Sequence, residues 1–519
     1  MNAATTDDDL DIGLPEKGRG TGCWGPAALG VLLLIGLGAL GIYLYDRHWE
    51  GKLEAKVAQL SADGQLITLD EMINRHTYLP DEENSAFDFM DARGQVQETP
   101  HGGLASELLD ASPPGVLPSV TLQEWIREDL EANAETLRLM HEAARLPRGC
   151  YPLVPASDPW SLGIPGVIAL RRAGQLCVRE GIFHAIEGDS AGAAGSLVTC
   201  RRLAAAIGQR PFLIEQLVRM ASDGLLVDAV ERVVGLCPID EDELDALIQE
   251  LEREQAELSL DWLIVAERSS GQYAFGHADD LARGYGEPGS AKPAAYRWVP
   301  GWRERDALYF HEVMDQYVEL GRLSAADKAI RGEELGETLE EELSASSLAY
   351  PLSSTIIPAM GHAFSGEPTT KARLCVAHTA LQVEKWRMAH GRWPDSLDDL
   401  VPDALEAVPN DPFSDSPFRY TRTEDGVVVY SVGPDLADNG GLSEQEAERL
   451  SGDDLDEGWD LPFRLIDPEL RGARQATFPD EVMQSDVTLR VLREAGLGPD
   501  ELKSLGLTDE DIEQLCSTR

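Results

Sequence analysis

Apolar side chains recur at helical spacing over most of this chain. Between Leu122 and about Gly361 they form successive amphipathic stretches, separated by short breaks rich in Gly, Asp and Pro. Helices joined by such tight breaks are typical of helical hairpins. The pattern therefore predicts a mainly α chain with a body of irregular helical hairpins over residues 119–365.

One unit of this body consists of a helix over Val167–Ile186, the turn Glu187-Gly188-Asp189 and an Ala-rich helix over Ala193–Ile207. The unit is similar to tetratricopeptide-type hairpins. No repeat of about thirty-four residues recurs along the chain, however. We therefore predict an irregular stack instead of a regular array.

Near the N-terminus, Pro26 to Tyr45 form an uninterrupted uncharged run with aromatic residues at both ends. About twenty apolar residues span a bilayer, and aromatic side chains favour its interfaces. A cleaved signal peptide is the competing interpretation, but the end of the run lacks a clear small-x-small cleavage site. We predict a retained transmembrane anchor over residues 26–45, preceded by a disordered cytoplasmic tail over residues 1–25.

The segment 46–118 predicts short helices followed by a linker. A helix is expected over Trp49–Leu60, and the proline-rich stretch Pro100–Pro118 has the composition of a linker. The acidic stretch Asp81–Asn84 is either a functional loop or the capped start of a helix, and the second interpretation is favoured.

From Leu374 to Gly441 the pattern changes to that of a small α+β module. An amphipathic helix ends at Gly391, where a left-handed cap is expected. Asp395 or Ser396 can then cap a short helix. Further on, Asp425-Gly426 separates two β-prone runs, which is a strong hairpin signal.

Directly after the second predicted strand come Asp435, Asp438 and Asn439, within a loop rich in glycine. Closely spaced carboxylate and amide oxygens suit Ca²⁺, which takes about six to eight oxygen ligands. The same residue types are common in solvated turns. The residues alone leave both interpretations open.

A series of motifs in this region carries a resemblance: His390–Pro394, Leu397 with Leu400, Val408-Pro409, Asp411-Pro412-Phe413, Arg419-Tyr420, Tyr430–Asp435 and Gly440-Gly441. In this order they resemble the periplasmic domain of type II secretion major pseudopilins. The resemblance implies a helix packed on a small antiparallel sheet over residues 366–468, with a structural Ca²⁺ in the loop after the hairpin. It makes Asp435 and Asp438 the expected ligands, followed by Asn439.

The resemblance also implies a location: a single-pass protein of the bacterial inner membrane with its C-terminal part in the periplasm. The three basic residues after the span, against two before it, weakly oppose this orientation. Two departures from the pseudopilin pattern matter. The apolar helix lies far from the module, which argues against assembly into a pilus. The insertion Leu442–Gly452, ahead of an acidic run over Asp453–Asp456, leaves the ligand set open.

Composition limits the partners. The 44 basic and 92 acidic side chains give a formal charge of −48, which disfavours nucleic acid and anionic lipid surfaces. Seven cysteines without a C-x-x-C pair argue against a structural zinc site. Cys177 and Cys200 are expected to be buried thiols, although a bridge between them is possible in an exported domain. Residues 469–519 predict an acidic tail with short helices.

No sequence motif for catalysis or cofactor binding is found. Cys177, Glu180 and His184 could share a helix face, but chance placement is favoured because no second His or oxyanion glycine accompanies them. The sequence therefore predicts a membrane-anchored interaction or scaffold protein with a protein partner in the envelope and no identified small-molecule substrate. The alternative is a membrane-tethered hydrolase with its site between the helical body and the Gly/aromatic loop 269–303.

Overall fold

Most of the chain is helical, and the helices are accompanied by a small antiparallel sheet of three strands and one apolar N-terminal helix. These coarse features of the predicted fold are confirmed. The computed structural model describes residues 24–76, 79–110, 112–153, 166–278, 296, 299–414, 416–444, 446, 458–475, 499–504 and 512. The predicted tail before residue 24 and the acidic run Asp453–Asp456 lie outside the described residues.

Helix α1 is continuous from Trp24 to Ala62. Residues Trp49–Leu60 are helical, as predicted, but they form the second half of α1, because no Gly or Pro interrupts the chain between Tyr45 and Trp49. The apolar side chains between Leu29 and Tyr45 are exposed, whereas Leu60 is buried.

The N-terminal segment contains more ordered structure than predicted. Helix α2 is Leu69–Arg75, a 3-10 turn covers Asp81–Glu83, and helix α3 begins at Ala86 and ends at Arg93. A helix therefore follows the acidic stretch, as the favoured interpretation expected, but the Ser85 side chain does not cap it. The predicted linker Pro100–Pro118 instead holds helix α4, Gly102–Asp110, and strand β1, Val116–Leu117. Burial of Ala105, Leu108 and Leu109 in the main core explains why this stretch is ordered.

The helical body is held together by one extensive apolar core and by buried charges. Arg201 and Arg219 both pair with Glu254, and all three side chains are buried (Arg219 Nε to Glu254 Oε1, 2.6 Å). These residues connect three successive helices. The helices of the body are α5 Val120–Ala132, α6 Ala134–Ala143, α7 Val167–Ile186, α8 Ser190–Gly208, α9 Leu213–Leu236, α10 Glu241–Glu257, α11 Asp261–Gly276, α12 Trp302–Gly321, α13 Ala325–Ala345 and α14 Ser353–Ile356.

Helix α15, Pro358–His390, connects the body to the sheet. It packs against α9, α10 and α13 and also against the sheet. The domain boundary predicted between residues 365 and 366 falls within this helix. At its end Gly391 adopts the expected left-handed conformation with φ of 70°, and Ser396 and Asp399 form a capping box on the 3-10 helix Leu397–Leu400.

The sheet has the order β2 (Arg419–Arg422), β3 (Gly426–Ser431), β4 (Leu461–Ile466), with all neighbours antiparallel. The predicted hairpin is confirmed, with Arg422 opposite Val427. A Cβ on Gly426 would overlap the carbonyl oxygen of Leu465, so the approach of β4 requires glycine there.

The chain then returns to its N-terminal part. Strand β5, Arg474–Gln475, pairs in parallel with β1. Helix α16, Pro499–Ser504, follows later in the chain, where short helices were predicted.

Candidate cation-binding loop and neighbouring cleft

The candidate loop follows β3, and the start of the loop is held in place by hydrogen bonds to Asp411. This buried carboxylate accepts hydrogen bonds from the Ser431 hydroxyl (2.7 Å) and from the backbone N–H groups of Val432 (2.9 Å) and Phe413 (3.0 Å). Phe413 belongs to the proline-rich loop, whereas Ser431 and Val432 lie at the end of β3. Asp411 therefore joins this loop to the end of β3.

Asp438 lies over the hairpin. Its Oδ1 accepts hydrogen bonds from the Tyr430 hydroxyl (3.0 Å) and the Gly440 N–H (3.2 Å), and its Oδ2 accepts one from Arg419 Nε (3.2 Å). Partial burial opposes ionisation, but the hydrogen bonds and the charge of Arg419 outweigh it and lower the pKa of Asp438.

Asp460 was missed in the sequence analysis, although the structure brings it into the same loop. It lies just before β4, is buried, and accepts hydrogen bonds from the backbone N–H groups of Gly441 (2.6 Å) and Asn439 (3.2 Å). Burial raises its pKa, and the charges of Asp438 and Asp435 add to this effect against the opposing hydrogen bonds. The available signal was a carboxylate directly before the apolar run Leu461–Ile466, which was not predicted as a strand.

Asp435 is exposed on the same loop, and its Oδ1 accepts a hydrogen bond from the Ala437 N–H (3.1 Å). The three carboxylates thus share one loop with Arg419 as a nearby cation. In the described part of the chain, however, no three His, Cys, Asp or Glu side chains are arranged to hold a metal ion. The negative charges suit a cation. The carboxylate oxygens of Asp438 and Asp460, however, accept hydrogen bonds from protein groups, and the described residues do not form a coordination shell.

A cleft of about 400 Å³ lies beside this loop, between α9, α15 and β4. Charges of both signs line it: Arg373 pairs with Asp228, and Arg464 pairs with Glu446 (2.5 Å). Glu231 accepts a hydrogen bond from the Arg464 backbone N–H (2.6 Å). Burial raises the pKa of Glu231 to about 7, against the opposing effect of Arg464.

The helix face considered for nucleophilic chemistry does not form a site. Glu180 bonds to His141 (2.6 Å), and His184 pairs with Asp189 (2.8 Å). Cys177 is a buried free thiol whose pKa is raised well above its usual value by burial, as is the Cys200 thiol, to about 12. The two cysteines are free thiols, as the favoured interpretation expected.

The hydrolase alternative placed its site beside residues 269–303. Residues 269–276 belong to α11, so the connection begins later than predicted, and residues 279–295 and 297–298 lie outside the described part. A cavity of about 210 Å³ is lined there by Asp46, Tyr296, Arg303 and Glu304. Arg303 pairs with Glu304 (2.5 Å), and no His, Cys, Ser or Thr is among the described lining residues.

Comparison with protein-family models, with curated proteins and with solved structures finds no match to this chain. What the described residues define is a mostly helical protein with a small antiparallel sheet and one N-terminal helix long and apolar enough to cross a membrane.

Proposed function

We propose that this chain is a single-pass envelope protein that acts as an interaction or scaffold component. The observation that supports this most strongly is helix α1. Its segment from Leu29 to Tyr45 exposes an unbroken apolar surface, whereas its second half packs against α12. Such a surface is costly in water and is satisfied by lipid.

The pairing of buried charges in the helical body suits a scaffold better than a catalytic centre. Among the described residues, several buried charged groups pair with each other, as Arg219 does with Glu254. The hairpin body and the helix-on-sheet module share α15, which packs against both. We place the module in the periplasm and link it to secretion machinery on the strength of the pseudopilin resemblance.

The loop with Asp435, Asp438 and Asn439 would hold a structural Ca²⁺, and Asp460 would take part in it. The like charges of Asp435, Asp438 and Asp460 support this proposal, since a divalent cation would relieve their mutual repulsion. Asp438 bonds to Arg419, so binding requires this side chain to turn away from the arginine.

Membrane association is tested by floating reconstituted full-length protein with lipid vesicles and by alkaline extraction of membranes. We expect the protein to float and to resist extraction. A matched variant with Leu34→Arg and Leu37→Arg, both in the exposed apolar stretch, should lose most of this association, because arginine at mid-bilayer costs about 2.5–3.5 kcal/mol. Recovery of the unaltered protein in the soluble fraction would refute the anchor.

Orientation is tested separately by protease accessibility in intact cells. Digestion of residues after the span only when the outer envelope is permeabilised supports a periplasmic body. Protection of the same residues until the inner membrane is broken would refute it.

A further inference from the structure

Exposed apolar and aromatic side chains of the body lie near the end of the apolar stretch of α1, and a membrane anchor alone does not explain them. Helix α12 runs parallel to α1. A Cβ on Gly301 would lie 3.0 Å from the Cα of Asp46, the Arg305 guanidinium lies 5.9 Å from the centre of the Trp49 ring, and Lys56 pairs with Asp315. The start of α12 is therefore level with the last residues of the apolar stretch.

Apolar and aromatic side chains from two other segments of the body gather at this level. Together with Tyr45 of α1 they form a set that we call the interfacial collar: Tyr45, Val299, Trp302, Leu348 and Tyr350. The Trp302 indole donates a hydrogen bond to the carbonyl of Ala349 (2.7 Å). Leu348 is 75% exposed and Val299 41%, and exposure of large apolar side chains is unfavourable in water.

The collar is held rigidly on the body. Asp306 is buried and accepts hydrogen bonds from the Ser353 hydroxyl (2.5 Å) and the Leu352 N–H (3.0 Å), which fixes the turn carrying Leu348 against α12. The Tyr350 ring stacks on Tyr309 with 4.2 Å between the ring centres. The exposure of Leu348 is thus imposed by buried contacts.

Two arginines near the collar are paired with carboxylates, and Arg305 donates a hydrogen bond to the Tyr350 hydroxyl (3.1 Å). Arg47 pairs with Glu50 (2.6 Å), and Arg303 pairs with Glu304 (2.5 Å). Together with the formal charge of −48, this leaves little attraction to anionic lipid. A zwitterionic interface suits this surface, because aromatic rings with polar ends and short apolar side chains favour the headgroup region.

We propose that the interfacial collar inserts into the lipid headgroup region directly around the span and holds the body against the membrane in one orientation. This inference rests on the proposed membrane anchor. The continuity of the collar with the exposed apolar face of α1 identifies the bilayer as its occupant. The acidic body would then stand at a defined height above the membrane instead of moving on a flexible stalk.

The test uses the full chain in phosphatidylcholine vesicles that contain lipids brominated near the top of the acyl chains. A small fluorescent amino acid replaces Leu348 in one variant and Val299 in a second. In a matched control it replaces Leu470, which is 42% exposed on the loop after β4. We expect about a twofold loss of emission at positions 348 and 299 and none at 470, since an inserted side chain lies roughly 5–10 Å into the boundary.

The outcomes separate the two proposals. If the protein floats with the vesicles but positions 348 and 299 are not quenched, the collar is refuted and the anchor stands. Equal quenching at position 470 would also refute it, because the body would then adsorb without orientation. If the protein does not float, the proposed anchor fails, and the collar fails with it.

Discussion

The carboxylate of Asp411 accepts a hydrogen bond from the hydroxyl of Ser431, across twenty residues of chain, at 2.7 Å. The same carboxylate accepts bonds from the N–H groups of Phe413 and Val432. The loop and the end of β3 are thereby joined through one buried carboxylate, beside the apolar cluster that contains Phe413 and Val432.

Replacement of Asp411 by Asn should therefore destabilise the protein by about 2–4 kcal/mol, because the new amide N–H₂ faces donors and leaves buried N–H groups unsatisfied. Chemical unfolding of the full-length protein in detergent, followed by tryptophan fluorescence, measures this change. Asp403→Asn is the matched control at an exposed position of the same loop region. Equal stability of the two variants would contradict a structural role for Asp411.

The buried Glu231 gives a pH dependence of known sign. Its pKa is about 7 in the folded protein against an ordinary value of 4.5. A carboxyl group with a raised folded pKa contributes stability that is fully present below its unfolded pKa and is lost as the pH rises through the folded value. Stability should therefore fall between about pH 5 and pH 8.

Glu231→Gln keeps an oxygen acceptor for the Arg464 N–H and removes the buried charge. We expect it to raise the free energy of unfolding by about 1–3 kcal/mol near pH 8 and to have little effect near pH 5. Unfolding curves at both pH values test this, with Glu312→Gln at an exposed site as control. A variant less stable than the unaltered protein near pH 8 would show that the charged form is needed.

Calcium binding to the Asp435 loop would raise thermal stability. At a free concentration about one hundred times the dissociation constant the gain is about 2.7 kcal/mol, and a chelator should reverse it. Asp435→Asn should abolish the calcium-dependent part only, since this side chain is exposed and bonds to one N–H group. Asp403→Asn should retain the response.

Asp460→Asn should behave differently, because Asp460 accepts two backbone hydrogen bonds in a buried position. Its loss should lower stability by about 1–3 kcal/mol even with a chelator present. If calcium and chelator give identical melting curves for the unaltered protein, the structural Ca²⁺ is refuted.

A buried ion pair joins the segment after β4 to α15. Glu384 and Arg471 are both buried, with 2.9 Å between Oε1 and the Arg471 nitrogen, and Arg387 lies on the other side of the carboxylate. Glu384→Gln leaves Arg471 without its counter-ion and should cost about 3–5 kcal/mol. Asp395→Asn removes the exposed pair with Arg392 and should cost less than about 1 kcal/mol. Similar losses would argue against burial of Arg471.

Local signals were sufficient where a conformation depends on adjacent residues. Gly391 ends α15 as expected because only glycine adopts the left-handed cap without steric cost, and Asp425-Gly426 forms the hairpin. The helix Val167–Ile186 was predicted with the observed bounds, since its apolar face is continuous. Sequence did not reveal β1, because two residues that pair with a strand more than three hundred residues away carry no local pattern.

Some residues of the candidate site could be predicted from the sequence, and others were found only in the structure. The loop with Asp435, Asp438 and Asn439 was found from composition, whereas Asp460 reached it only through the pairing of β4 with β3. Arg419 was named only in a motif of the resemblance, and its bond to Asp438 joins β2 to the loop after β3, a contact that spacing alone does not predict.

The apolar N-terminal helix, the mainly helical class and the hairpin could be predicted from the residues, because each follows from periodicity or turn chemistry within a short window. Tertiary packing was needed to show that α1 packs against α12, that α15 joins the body to the sheet, and that Leu348 lies level with Tyr45. These relationships depend on which distant surfaces bury each other. The free energy of such burial is shared among residues far apart in the chain and leaves no local signature.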